Sequence, residues 1–273
     1  MRRFCALILM LFLLCGLSAC GRNDDEIYVV SREEGSGTRS AFVTLTGVAL
    51  DGVDRTTPRA EVSSSTAVVM QTVAGNRGAI GYISLSALDD SVKAVRINGT
   101  APTAENYPLA RPFLVVLKEN LSAAALDFLN FVRSDEGQQV VADNGCIPVD
   151  ALGPFLSVQP RGRVVVEGSS SVAPVMEKLA EAYMAINPLV EIQLQADDSS
   201  TGIAAAASGL CDIGMASRAL TENERAKGLH AAAVCMDAIA VIVHNERELD
   251  DLTLAQLAAI FRGEVRTWSE VGA

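Results

Sequence analysis

With 273 residues, 49% hydrophobic and 20% charged, the chain has length and apolar content for one large or two modest packed units, and it lacks the composition of a disordered tail. Its 33 acidic and 22 basic side chains leave a formal charge of −11, which argues against nucleic acid or an anionic membrane surface as partner. Any bound anion must therefore be held by local dipoles and individual cations.

At the N-terminus Arg2 and Arg3 precede an apolar run over residues 6–14 and then Leu17-Ser18-Ala19-Cys20-Gly21. The run is too short to cross a bilayer, so residues 1–19 read as a secretory signal. Leu-Ser-Ala-Cys resembles the bacterial lipoprotein box, which implies lipidation at Cys20, a tether over 20–26 and an extracytoplasmic, membrane-anchored location. Without the leader's two arginines the charge falls to about −13.

A β-branched strand over 27–30 then runs through Arg32 into Gly35-Ser36-Gly37-Thr38, just before a helix over 39–45. Glycines at 35 and 37 can take positive φ, so the amides of Ser36, Gly37 and Thr38 can converge on one point at the positive end of that helix. Two hydroxyls and the Arg32 guanidinium complete a candidate anion site. The spacing of a nucleotide-binding phosphate loop, with its terminal Lys-Ser/Thr, is absent.

Strand patterns at 79–83, 113–117, 164–166, 190–194, 212–215 and 238–243 alternate with helical ones at 66–74, 123–132, 135–143, 174–186, 202–208 and 254–261. This is α/β organisation, with residues 151–163 as a linker between packed units. Two segments repeat the opening arrangement: Val164 to Pro174 places Ser170 and Ser171 before a helix, and Val190 to Gly202 does the same with Ser199 and Ser200. Three hydroxyl-rich helix starts, each after a strand, suit a crevice at the carboxyl ends of parallel strands. Beyond the leader, Cys20, Cys146, Cys211 and Cys235 form no CxxC pair and have no histidine at ligand spacing, so no zinc site is expected. Among the last three, one disulfide or three free thiols are both open.

The segments VSREEGSGTRSAF, GSSSVAP, SSTGIAAAASGLCDIGMASR and LAAIFRGEVRTWSEVG resemble motifs of the phosphate-binding proteins that serve ABC importers, over nearly all of the chain beyond the leader. The resemblance implies an α/β, two-lobed periplasmic-binding-protein-like fold (type II) that closes on inorganic phosphate, acts as a monomer and delivers its ligand to permease subunits. Carried over by position, it assigns phosphate binding to Arg32, Ser36, Gly37, Thr38, Ser170, Ser171, Ser199 and Ser200. Arg218 stands where some members place a ligand-facing aspartate that can accept the phosphate proton, and others an arginine. Glu34 is then a candidate to orient Arg32 or to accept that proton.

The motif order is unusual for the family. Its members open with the GSSS-type segment and run from WSEVG directly into REEGSGT, whereas here REEGSGT comes first and WSEVGA last. A circular permutation accounts for this, with residues 27–112 plus 242–273 forming one lobe and 113–241, containing the linker, the other. A truncated tandem gene is the alternative. The enzyme reading, a serine-dependent phosphatase or hydrolase, has little to stand on: His230 and His244 lie in loop or strand-end segments, and no carboxylate-rich metal motif accompanies them. No cofactor is expected. Sulfate, molybdate and tungstate remain alternative ligands because the same dipoles fit any tetrahedral oxyanion.

Overall fold

The computed structural model describes residues 25–273, so the expected signal 1–19, Cys20 and nearly all of the tether lie outside the described residues. Strand β1 (Tyr28–Arg32) ends at the arginine, and Ser36 caps helix α1 (Gly37–Thr46). An Asp51-Gly52 turn, both residues at positive φ, joins β2 (Ala49–Leu50) to β3 (Val53–Asp54). Then come β4 (Glu61–Ser63), a Ser65-capped α2 (Thr66–Ala74), β5 (Ala79–Ser84) and β6 (Lys93–Ile97). Strand β7 (Ala110–Leu117) precedes α3 (Ala123–Val132), α4 (Asp135–Asp143) and β8 (Ile147–Pro148). The remaining chain forms β9 (Gly162–Ser169), α5 (Ala173–Ile186), β10 (Val190–Asp197), α6 (Ser199–Ser208), β11 (Ile213–Ala216) and α7 (Glu222–Arg225). It closes with β12 (His230–Val243), β13 (Asp251–Leu252) and α8 (Leu254–Arg262).

The main sheet runs β10-β9-β11-β7-β12-β5-β1-β4. Strand β9 is parallel to β10 and β11 at one end, and β1 is parallel to β4 and β5 at the other. Between them the antiparallel pair β7 and β12 joins two hydrophobic cores. Phe113, Val234 and Cys235 belong to a core with Phe128, Phe131, Val164 and Tyr183, whereas Ala238, Ile239 and Val241 pack with Val29, Phe42, Tyr82 and Trp268. Burial against two separate cores makes two lobes, and the long β12 is shared because its near-continuous apolar run satisfies both.

Helix α6 lies unusually close to the sheet. A Cβ on Gly168 would meet the Met215 carbonyl oxygen at 2.4 Å, and one on Gly202 would meet the Glu167 carbonyl oxygen at 2.5 Å. Glycines on both sides of that contact set where the N-terminus of α6 points.

The linker does not hang free. The Phe155 ring sits edge-on to Phe131 at 5.2 Å, and the buried Asp127 carboxylate accepts from Ser157 Oγ (2.7 Å), the Val158 amide (3.0 Å) and Tyr183 OH (2.9 Å). The two ends of the described chain meet in the other lobe. The Ile27 amide donates to the Arg266 carbonyl and the Trp268 amide to the Asp25 carbonyl, each at 2.8 Å, with Trp268 fully buried beneath them.

Regular elements fall where the patterns place them, except that three helices start one to three residues earlier because their caps are Ser36, Val172 and Asp198, and β12 begins at His230 rather than at 238. The short strands β2, β3, β4, β6, β8 and β13 and the one-turn helix α7 are additions; two- and three-residue strands offer too few positions for a period to show, and Lys93 and Arg96 interrupt the apolar pattern of β6. Cys146, Cys211 and Cys235 are buried free thiols, and hydrogen bonding to Cys146 together with burial pushes the Cys235 thiol up.

Candidate functional site

The carboxyl ends of β1 and β4 in one lobe face those of β9, β10 and β11 in the other, and the hydroxyl-rich helix starts converge there. Arg32 ends β1 with its side chain only 2% exposed. Its Nε donates to Glu33 Oε2 (2.8 Å), its Nη1 to Thr66 Oγ1 (3.3 Å) and its Nη2 to Ser170 Oγ (3.2 Å) across the cleft. Glu33, not Glu34, orients the guanidinium. Glu34 is exposed and lies with Arg39 and Asp54 on the outer side of the loop, because the strand ends at Arg32 and the chain has already entered the turn at 34–35.

Ser36 caps α1: its Oγ accepts from the Arg39 amide at 3.3 Å, which leaves the hydroxyl proton free to donate. Thr38 Oγ1 and Ser171 Oγ share a hydrogen bond of 2.8 Å between the lobes, and Thr66 Oγ1 lies 3.2 Å from the same Ser171 hydroxyl. Ser199, fully buried, accepts from the Ser217 amide at 3.1 Å, and Ser217 Oγ lies 3.0 Å from Ser169 Oγ. The glycines serve here through closeness rather than through φ. Neither Gly35 nor Gly37 has positive φ, but a Cβ on Gly37 would fall 2.3 Å from Ser199 Oγ, and one on Gly35 2.5 Å from Asp198 Oδ1.

Two expected residues sit differently. Ser200 donates from both its amide and Oγ to the Gly35 carbonyl, at 3.3 and 3.2 Å, a direct contact between lobes. Arg218 forms a bidentate pair with Glu224, at 2.9 Å on each arm, and reaches the cleft only through Ser200 Oγ at 3.2 Å. Its guanidinium holds the Glu224 carboxyl down at about 2.

A second buried arginine escapes the sequence reading. Arg111 on β7 pairs with its cross-strand partner Asp237 on β12 at 3.3 Å and donates to the Ser217 carbonyl at 3.2 Å, while its Nε is buried without a partner among the described residues. Burial pushes Asp237 up to about 6 despite the arginine beside it. Thr66, Ser169 and Ser217 are likewise unassigned by motif. The run Ser63-Ser64-Ser65-Thr66 between a short strand and a helix repeats the pattern of the other three and was the available signal. Arg111, inside an apolar strand, carried none.

This arrangement offers hydroxyl and amide donors and two buried guanidinium groups in a chain that is otherwise strongly acidic. It holds no serine with a histidine base beside it: His230 is an exposed residue at the start of β12, and the His244 Nδ1 accepts from the Glu246 amide at 3.1 Å. Among the described residues no cluster of histidine, cysteine and carboxylate could hold a metal ion.

A PBP superfamily domain matches residues 19–136 and 157–273. The phosphate-binding protein PstS 2 of Streptococcus agalactiae is 41% identical over 268 residues, which cover 94% of this chain and 92% of its own length. The crystal structure of a phosphate ABC transporter phosphate-binding protein from Streptococcus pneumoniae superposes with a TM-score of 0.70 at 43% identity, covering 90% of this chain and 99% of its own. The phosphate-binding protein PstS of Bacillus subtilis is 38% identical over 136 residues, 47% of this chain and 44% of its own.

Proposed function

We propose that this chain, which belongs to the PBP superfamily and within it to the phosphate-binding proteins, captures inorganic phosphate between its two lobes and hands it to the permease of an ABC importer. It is a binding protein, not an enzyme. The observation that carries this reading is the cleft in which Arg32, Ser36, Gly37 and Thr38 of one lobe face Ser170, Ser171 and Ser199 of the other. An anion entering there replaces hydroxyl-to-hydroxyl contacts with charge-assisted hydrogen bonds of about 1.5–3 kcal/mol each, and five or six of these, net of desolvation, reach the roughly −8 kcal/mol of a micromolar complex. In this reading Ser200 and Arg218 act in closure rather than as ligands, since the donors of Arg218 already engage Glu224. Calorimetric titration with phosphate, sulfate and molybdate tests it: phosphate should bind at micromolar concentration or tighter, and preference for another oxyanion would reassign the ligand.

The protein is an extracytoplasmic monomer anchored through lipid on Cys20. Substituting Cys20→Ser should move it from the membrane to the soluble fraction, and persistent membrane association would refute the anchor.

The chain order is that of a circular permutant, with residues 27–112 and 242–273 in one lobe and 113–241 in the other. Support comes from the meeting of Asp25 and Ile27 with Arg266 and Trp268, and from a core that side chains of 113–146 share with side chains of 164–235. The change of core within β12 near Asp237 favours a boundary a few residues before 242.

A further inference from the structure

We propose that Cys146 and Cys235 are a disulfide site, joined when the chain folds in the presence of an organic disulfide, so that β8 is fastened covalently to β12. In the structure both are thiols. They belong to one core, Cys235 fully buried and Cys146 5% exposed, whereas Cys211 lies in a separate cluster with Ile203 and Leu220. The sheet register brings the two together: Cys235 pairs with Pro148 and Met236 with Ile147, so Cys146, two residues before Pro148, falls on the same face as Cys235. Their side chains lie within hydrogen-bonding reach of each other.

The backbone on both sides of the pair is fixed. Gly145, at a φ of 75°, turns the chain after α4, and the Cys146 amide donates to the Val141 carbonyl at 3.3 Å. The Gln138 side chain donates to the Val234 carbonyl at 3.0 Å and accepts from the Val149 amide at 2.8 Å, which bridges the neighbour of Cys235 to the residue after β8. A covalent tie has much to add here, because β8 is two residues long and Pro148 has no amide proton for the ladder. The loop it closes, from Cys146 to Cys235, contains the linker and β9 to β11, and a cross-link restricts the unfolded chain most when its loop is long.

One cysteine thiolate of the folding chain attacks a sulfur of the organic disulfide and expels its partner thiolate; the second cysteine thiolate then attacks the mixed disulfide and expels the other. Two S–H bonds give way to one S–S bond, and two protons and two electrons leave on the two thiols of the spent oxidant. The order of events follows from burial. No reagent reaches Cys235 in the folded lobe, where its thiol is also held protonated, so the bond forms before the core closes and resists reduction afterwards. Oxidants of this class belong to compartments outside the cytoplasm, so the bond's presence in cells rests on the extracytoplasmic reading above.

The test refolds the full chain from denaturant with glutathione disulfide, blocks free thiols with N-ethylmaleimide and digests with trypsin, which leaves Cys146 in 134–161, Cys211 in 179–218 and Cys235 in 228–247. The expected product joins 134–161 to 228–247, comes apart with dithiothreitol, and leaves Cys211 alkylated. The melting temperature of the oxidised protein should fall by about 5–15 °C when the bond is reduced. The double variant Cys146→Ala, Cys235→Ala should melt at one temperature with and without dithiothreitol, and Cys211→Ala should keep the full drop. Alkylation of both Cys146 and Cys235 after refolding, Cys211 in the joined pair, or an equal drop in the double variant would each overturn the inference. The same digest on protein taken from the cells that make it should show the same joined peptides; a pair joined on refolding but alkylated in cell-derived protein would overturn the extracytoplasmic reading and leave the site standing.

Discussion

Gly37→Ala separates closure from folding. Gly37 opens α1 with an ordinary helical backbone, so alanine fits the conformation and, by helix propensity, stabilises its own lobe by about 0.5–1 kcal/mol. The new methyl carbon would lie 2.3 Å from Ser199 Oγ and 2.6 Å from Ser217 Oγ, both on the facing lobe. Restoring ordinary contact requires the lobes to part by about 1 Å at that point. The Thr38–Ser171 contact of 2.8 Å and the Arg32–Ser170 contact of 3.2 Å would then stretch past hydrogen-bonding range, and a bound anion would span the same widened gap. Two or three donors at about 1 kcal/mol each amount to a 30- to 150-fold loss of phosphate affinity. Calorimetry reads the affinity, and thermal unfolding without phosphate reads the lobe. The expected pair is weakened binding with a melting temperature held within about 3 °C of wild type or raised. Affinity within threefold of wild type would show that the facing serines yield freely and that Gly37 is not a closure contact.

Arg32→Met should weaken phosphate more than about 100-fold, because two charge-assisted donors are lost while the Glu33 carboxylate stays beside the anion; calorimetric binding within threefold would refute the assignment. Asp127→Ala removes the acceptor for Ser157, Val158 and Tyr183 and should cost about 2–4 kcal/mol, roughly 6–12 °C in melting temperature, with phosphate affinity little changed. Glu224, held at about 2 against an ordinary 4.5, contributes stability that is present above 4.5 and lost as pH falls toward 2, so wild type should lose melting temperature over that window more steeply than Glu224→Gln. Asp237 runs the other way: raised to about 6 from 3.8, its contribution is complete below 3.8 and lost as pH rises through 6, and Asp237→Asn should flatten the melting temperature across that range.

Most of the longer elements were legible because they show a period or an apolar run, as α5 does, whereas β12 was legible only over 238–243, after Asp237 interrupts its apolar run. The anion loops were legible for a different reason: a strand, small residues and hydroxyls in sequence describe a helix start with spare donors. What stayed hidden depended on register and distance. Choosing Glu33 over Glu34 as the partner of Arg32 turns on where the strand ends and the turn begins, and Arg111 meets Asp237 only because β7 and β12 pair in that register. Gly35 and Gly37 were expected to supply unusual backbone angles, yet they supply missing side chains, a need created by residues more than 150 positions away.

The meeting of the two ends beside Trp268 governs how tension would travel through the molecule. The Phe113 core is built from an uninterrupted stretch of chain that leaves and re-enters the other lobe through paired strands, so it forms a closed loop in the covalent path. A pull applied between Asp25 and Ala273 first peels the hydrogen bonds of Ile27 and Trp268 and then unravels the Trp268 core, while the Phe113 core bears no load. Only after β7 and β12 separate can force reach it. Stretched by its ends, the chain should lengthen in two steps of fixed order, with the Phe113 core yielding second.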